Sequence, residues 1–258
     1  MNHYPLFKQL HQQDNPLYLG NIWDINSALA HEQAGYKALG TSSAAIAESL
    51  GYKDGENMPF EALFDCVNAI VQKTSCPLTV DIEAGYSRDT QTIIKHIIQL
   101  TEIGAVGVNL EDSVVIKGNR EIVDPSKFSE TVKTIKDGLT QNGVSVFLNI
   151  RTDSFIMGLE NALKNTIARS TLYEKSGADG IFIPGITDES DIKKCVKSVS
   201  IPVNVMTMPN LPSFQTLKTL GVKRVSMGPF VYNKMNKDLS DTLKNIEKHQ
   251  SFNPLFNA

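Results

Sequence analysis

Eight short runs of β-branched and other apolar residues recur along the chain, each ending in polar or glycine residues and each followed by helically spaced residues. They cover residues 17–23, 38–41, 78–82, 107–110, 144–150, 180–183, 203–206 and 224–227. Uninterrupted apolar runs, in place of alternation, mark strands covered on both faces, as in parallel sheets. Four segments, AGYKALGTSS, IGAVGVNLED, SGADGIFIPG and LGVKRVSMGP, repeat one pattern of a glycine at a helix end, a short spacer and a strand. Glycine takes the left-handed conformation at a helix end cheaply, so each copy reads as one αβ turn. Strand and helix repeated eight times predict an α/β fold of the closed (β/α)8 TIM-barrel type. An open doubly wound sheet is disfavoured, since the chain has no GxGxxG or GxxxxGK[ST] phosphate loop.

Between the strands, residues 27–34 and 90–102 carry helical spacing. Two connections, 50–59 after the second strand and 113–124 after the fourth, exceed a minimal loop and are expected to be lids over the barrel mouth. The tail from Met235 is helical through Glu247 and then polar, an end that could dock on a neighbouring subunit. No linker-like shift in composition divides the 258 residues, so 1–258 is expected to be one barrel domain.

A formal net charge of -3 argues against a broad nucleic-acid surface. No apolar run approaches the roughly 20 residues that span a bilayer, and the opening residues lack a signal-peptide pattern, so no membrane partner and a cytoplasmic location are expected. Cys66, Cys76 and Cys195 are odd in number and form no CxxC pair, which fits reduced thiols.

Chemistry in such a barrel belongs to strand carboxyl ends. There the sequence offers Trp23 and Asp24, then Thr41, Ser42 and Ser43, then Asp81 and Glu83, then Glu111 and Asp112. The later strands add Asn149, Arg151, Thr152, Asp153, Pro184, Asn204, Met206 and Ser226. Asp81 and Glu83 lie two apart, so on a strand they share a face. Carboxylates about 5 Å apart, with Glu111 beside them, repel by roughly 3 kcal/mol per pair at an effective dielectric near 20. A shared proton, an arginine or a cation would offset that, and an all-oxygen cluster selects a hard ion such as Mg²⁺.

None of His3, His11, His31, His96 and His249 falls at a strand end, which disfavours a Ser-His-Asp relay or a histidine-held metal. Arg151 would place a fixed fork of donors in the site, suited to a carboxylate or phosphonate. The TSSAAIA run offers hydroxyls and N–H groups near a helix start, equally a cradle for an anion or a simple N-cap.

The ordered motifs NIWDINSA, GTSSAAIAESLGYKDG, VDIEAGYS, GVNLEDS, NIRTD and GADGIFIPG resemble the isocitrate lyase and phosphoenolpyruvate mutase superfamily, from about Leu17 to Met227. The resemblance implies a (β/α)8 barrel, assembled as a homo-oligomer, a dimer or tetramer, with an exchanged C-terminal helix. It implies Mg²⁺, with Mn²⁺ as a substitute, and cleavage or formation of a C–C or P–C bond beside the carboxylate of a small 2-oxo acid substrate. By the same resemblance Asp81, Glu83 and Glu111 hold the metal, with Asp81 the most direct. Thr41, Ser42, Ser43, Trp23, Asp81 and Arg151 contact the substrate, and Asp54, on the lid of GYKDG, acts with Arg151 and Glu111 in catalysis.

Lyases of this superfamily carry a K-[KR]-C-G-H loop after the LED strand, whose cysteine protonates the leaving enolate. Here that loop reads SVVIKGNRE. The mutases carry a lysine and an asparagine there, which Lys117 and Asn119 echo only loosely. The implied activity is therefore C–C cleavage of a smaller 2-oxo acid, by a lyase or decarboxylase through an enolate. Phosphoenolpyruvate or carboxyphosphonoenolpyruvate mutase chemistry and a non-catalytic 2-oxo acid-binding protein are the alternatives.

Overall fold

The computed structural model describes residues 3–256. Eight parallel strands close a barrel: β1 (Leu17–Ile22), β2 (Leu39–Thr41), β3 (Leu78–Asp81), β4 (Gly107–Glu111), β7 (Phe147–Arg151), β8 (Gly180–Ile183), β9 (Val203–Met206) and β10 (Arg224–Ser226). The remaining two, β5 (Ser113–Ile116) and β6 (Asn119–Ile122), pair with each other outside the barrel. Closure is completed by β1, which pairs with β10 at Leu17↔Arg224 and with β2 at Gly20↔Leu39.

Helices α2 (Ile25–Gln33), α3 (Ser43–Ser49), α4 (Phe60–Val71), α5 (Thr90–Glu102), α6 (Pro125–Gln141), α7 (Ala162–Lys175), α8 (Glu189–Lys197), α9 (Phe214–Leu220) and α10 (Phe230–His249) follow the strands. Alternate strand residues such as Val80, Val108, Leu148, Ile181, Val203 and Val205 belong to one buried cluster with Val67, Ile97, Val132 and Ile192 of the surrounding helices. All but Leu148 of these strand residues are β-branched, a shape that suits a surface buried against helices.

The inner face of the strands differs from the apolar runs seen in the sequence. At the lower end, α1 (Tyr4–Leu10) closes the barrel, and its Phe7 and Leu10 join Leu17, Leu19, Ala38, Val106 and Phe147 in a separate apolar cluster. Full burial of a side chain such as Phe7 contributes about 1.5–3 kcal/mol. Above this plug the interior is polar. Asn149 donates to Asn109 over 2.8 Å, Asn204 donates to Asn149, and Arg224 Nη2 donates to Asn109 over 3.2 Å. Asn204, expected at the pocket wall, is thus inside the barrel, and burial lowers the Arg224 pKa to about 10.

The connection 113–124, expected as a loop, is a two-stranded hairpin. Ile116 pairs with Asn119 around Lys117 and Gly118, both with positive φ (50° and 82°). Two positive φ values make a type I′ turn, whose twist matches paired strands. No helix among the described residues is long and apolar enough to cross a membrane.

Candidate active site

The fourth and fifth barrel strands build the centre of the mouth. In the ladder between β4 and β7, Glu111 stands opposite Arg151. Arg151 Nη1 lies 2.9 Å from Glu111 Oε2, while Nε and Nη2 donate to Asp153 over 2.5 and 3.1 Å. The fork expected to await a substrate is therefore already joined to two buried acids, which hold it in place and raise the arginine's pKa further against the cost of burial. Arg120 of β6 completes the group. Its Nη1 donates to Glu111 Oε1, to Ser113 Oγ over 2.7 Å and to Asp153 Oδ2 over 3.1 Å. Sequence reasoning missed Arg120, since residues 119–124, NREIVD, carry no apolar alternation that would mark a strand.

Asp81 ends β3 beside this group. Its Oδ2 accepts from Ser43 over 2.9 Å, and its backbone N–H donates to Thr41 Oγ1 over 2.8 Å. Thr41 thus supports the strand end, Ser42 caps α3 by accepting from the Ala45 N–H, and Ser43 alone of the three reaches an acid of the site. Trp23 is buried and meets Tyr232 edge-on, with ring centroids 5.1 Å apart. Its neighbour Asp24 caps α2 by accepting from the Ser27 N–H over 2.7 Å.

Glu83 does not share a strand face with Asp81. The strand has ended, Glu83 takes φ 48°, and its carboxyl turns under the first lid. There it accepts from the Glu56 N–H over 2.8 Å and from the Tyr86 hydroxyl over 3.1 Å. Glu56 in turn accepts from the Tyr86 N–H over 2.6 Å and from Arg88 over 2.6 Å, tying the 50–59 loop to the turn after β3. Exposed Asp54 sits in that loop beside Gly55, which has φ 92°. A Cβ on Gly55 would come within 2.8 Å of Val115 on the hairpin, so the two lids touch across the mouth.

Burial, followed by the charges of Asp54, Glu111, Asp81 and Glu56, pushes the Glu83 pKa up to about 8. Asp81 is also raised, by burial, against the pull of Arg151. For Glu111, burial outweighs Arg151 and Arg120 and again raises the pKa.

These acids fit a hard divalent cation. Their donors are all oxygen, and the Oδ1 of Asp81 receives only a long 3.4 Å contact from the Glu83 N–H. Among the described residues no three His, Cys, Asp or Glu side chains are placed to hold a metal ion between them. Mg²⁺ keeps several waters and takes only one or two carboxylates, and Asp81 is the acid with an open oxygen.

Asp112, the other strand-end acid, faces away from the mouth. It accepts from Arg169 over 2.9 Å, from the Tyr173 hydroxyl over 2.8 Å and from the Asp153 N–H over 3.0 Å, which makes it a structural anchor. The thiols lie elsewhere. Cys66 donates to the Trp23 carbonyl from α4 and Cys76 to the Tyr36 carbonyl ahead of β3, while Cys195 is buried on α8. Burial holds Cys66 at about 11 and Cys195 at about 12, so neither is a ready thiolate.

A family model described as phosphoenolpyruvate phosphomutase matches residues 7–247. An uncharacterized protein of Mycobacterium tuberculosis is 34% identical over 226 residues, covering 88% of this chain and 83% of that one. An oxaloacetate decarboxylase of Paraburkholderia xenovorans is 26% identical over 92% of this chain and 80% of its own length. The 2-methylisocitrate lyase of Escherichia coli is 25% identical over 81% and 72%. A crystal structure from Burkholderia cenocepacia, described as a candidate phosphonomutase, superposes with a TM-score of 0.88 at 34% identity, covering 95% of this chain and 100% of that one.

Proposed function

Since the chain belongs to the phosphoenolpyruvate phosphomutase family, we propose that it is a Mg²⁺-dependent carbon–carbon lyase or decarboxylase that cleaves the bond beside the oxo carboxylate of a small 2-oxo acid. The observation that carries this reading is the joined group of Glu111, Arg151, Asp153 and Arg120 at the strand ends beside Asp81, in which no histidine or thiol takes part. A site built from fixed charges is suited to stabilising a developing enolate.

Asp81, Glu83 and Glu111 are the acids that would hold Mg²⁺. When bound, the ion supplies Lewis acidity toward the carboxylate and keto oxygens of a 2-oxo acid. Ser43 keeps the Asp81 carboxylate oriented, and Arg151, fixed by Asp153, presents positive charge to the oxygen that becomes negative as the bond breaks. Asp54, on the first lid, orients the bound substrate. The lids meeting at Gly55 and Val115 exclude water during cleavage.

Decarboxylation suits this chain better than a cleavage needing a dedicated acid. Loss of CO₂ leaves its electron pair in an enolate, which water can protonate once the lids open, and no cysteine is required. A mutase reading is favoured by one observation, the 34% identity to the candidate phosphonomutase.

We further place the protein in the cytoplasm as a homo-oligomer. Three unpaired thiols fit a reducing compartment. The outer face of α10 exposes Val231, Met235, Leu239 and Leu243 at every fourth position, a stripe suited to a neighbouring subunit and to exchange of this helix. Incubation with Mg²⁺ and a panel of 2-oxo acids should release CO₂ or pyruvate. Retention of every 2-oxo acid, with phosphoenolpyruvate supplied in a parallel incubation giving a phosphonate resonance in ³¹P spectra, would establish the mutase reading.

A further inference from the structure

A glycine directly follows an aspartate or asparagine at Asp54 and Gly55, Asp137 and Gly138, Asn142 and Gly143, and Asp179 and Gly180. At such a pair the glycine nitrogen can attack the side-chain carbonyl carbon of the preceding residue, because glycine has no Cβ to hinder the approach. A five-membered succinimide results. Folding prevents the attack in two ways, by holding the backbone at helix or strand dihedrals and by committing the glycine N–H to an acceptor.

Three of the pairs are protected. Asp137 and Gly138 lie inside α6, and Asp137 accepts from Lys133 over 2.6 Å. Gly180 stands in β8 opposite Asn149, while Asp179 accepts from Lys136 over 2.8 Å and from the Leu148 N–H over 2.9 Å. Gly143 gives its N–H to the Thr140 carbonyl over 3.0 Å, and the Asn142 amide donates to the Gly138 carbonyl over 2.8 Å. Asp54 and Gly55 have neither protection. They sit in a turn of the first lid, with Asp54 exposed. Among the described residues the Asp54 carboxyl accepts no hydrogen bond and the Gly55 N–H has no acceptor.

We infer that Asp54 and Gly55 form a site of spontaneous isoaspartate formation, and that this modification loosens the first lid. The Gly55 nitrogen bonds to the Asp54 Cγ, and the hydroxyl of the protonated carboxyl leaves with the amide proton as water. Water then re-enters at either carbonyl of the ring. Entry at Cγ restores aspartate. Entry at the main-chain carbonyl carbon breaks its bond to the Gly55 nitrogen and leaves the chain running through the side chain, with one more methylene in the backbone. That lengthening falls beside two contacts of the lid. Glu56 gives its N–H to Glu83 over 2.8 Å, and Gly55 lies so close to Val115 that an added Cβ would come within 2.8 Å. Gly55 has no slack toward the hairpin, so the longer backbone displaces Glu56 from Glu83.

The test keeps wild-type protein for weeks at physiological temperature in water enriched in ¹⁸O, beside a sample held in denaturant, and reads both by peptide mass spectrometry. Each passage through the succinimide leaves one ¹⁸O at the residue concerned. Folded protein should carry at least about tenfold more label at Asp54 than at Asp137, Asn142 or Asp179, whereas denaturant should label all of them. A protease that cuts before aspartate should fail to cut at the isomerised position. Asp54→Glu, whose longer side chain would need a six-membered ring, should take up no label there. Hydrogen exchange of the Glu56 amide should quicken as wild type ages and stay constant in Asp54→Glu. No label at Asp54 in the folded protein, or equal label at the other pairs, would overturn the assignment. Unchanged Glu56 exchange in protein carrying the isoaspartate would overturn the loosening of the lid.

Discussion

Glu111 and Arg151 face each other across adjacent parallel strands, with Arg151 Nη1 2.9 Å from Glu111 Oε2. The pair is set by strand register, and Asp153 fixes the other edge of the guanidinium. Arg151→Lys keeps the charge but cannot span both acids. It is expected to lower kcat/KM by about tenfold or more, in steady-state kinetics on the best 2-oxo acid. Unchanged kinetics would remove Arg151 from the chemistry.

Asp112 is expected to matter for stability. Removing it in Asp112→Ala leaves buried Arg169 without its counter-charge, and breaking such a pair costs about 3–5 kcal/mol. Denaturant unfolding should show that loss, and wild-type stability with lost turnover would place Asp112 in the site after all.

Stability of the metal-free protein should depend on pH through Glu83. Its folded pKa, about 8, lies above its ordinary 4.5, so the folded state binds more protons across that interval. The stabilisation is complete below the ordinary value and is lost as pH rises through about 8. In EDTA, the thermal midpoint of wild type should fall relative to Glu83→Gln from about pH 5 to about pH 8. A midpoint difference independent of pH would show that Glu83 is ionised throughout.

The exposed stripe on α10 gives a test of assembly. Light scattering should find a dimer or tetramer, and Leu239→Asp with Leu243→Asp should shift it toward smaller species. A wild-type monomer would contradict the exchanged helix.

Much of this was legible in the sequence because barrel strands announce themselves by apolar runs between helices. The outward residues Val80, Val108, Leu148 and Val205 carried that signal. The polar interior did not show, because Asn109, Asn149, Asn204 and Arg224 are scattered in sequence and meet only when the barrel closes. Asp81 and Arg151 were expected at strand ends, and β3 and β7 end on them. Glu83 was placed on the face of Asp81 because strand periodicity was extended two residues past the end of β3, to where φ is positive. Arg120 was missed because a long connection was read as a loop, and a loop gives no rule for which side chains point inward.

The central claim, that the strand-end acids and a metal together bind a 2-oxo acid, is tested most directly by calorimetric titration of oxalate into one protein preparation with Mg²⁺ and with EDTA. Binding should be present with Mg²⁺, absent with EDTA and absent in Asp81→Ala under both conditions, since acids without a cation repel an anion. Equal oxalate affinity in EDTA, or full affinity in folded Asp81→Ala, would contradict it.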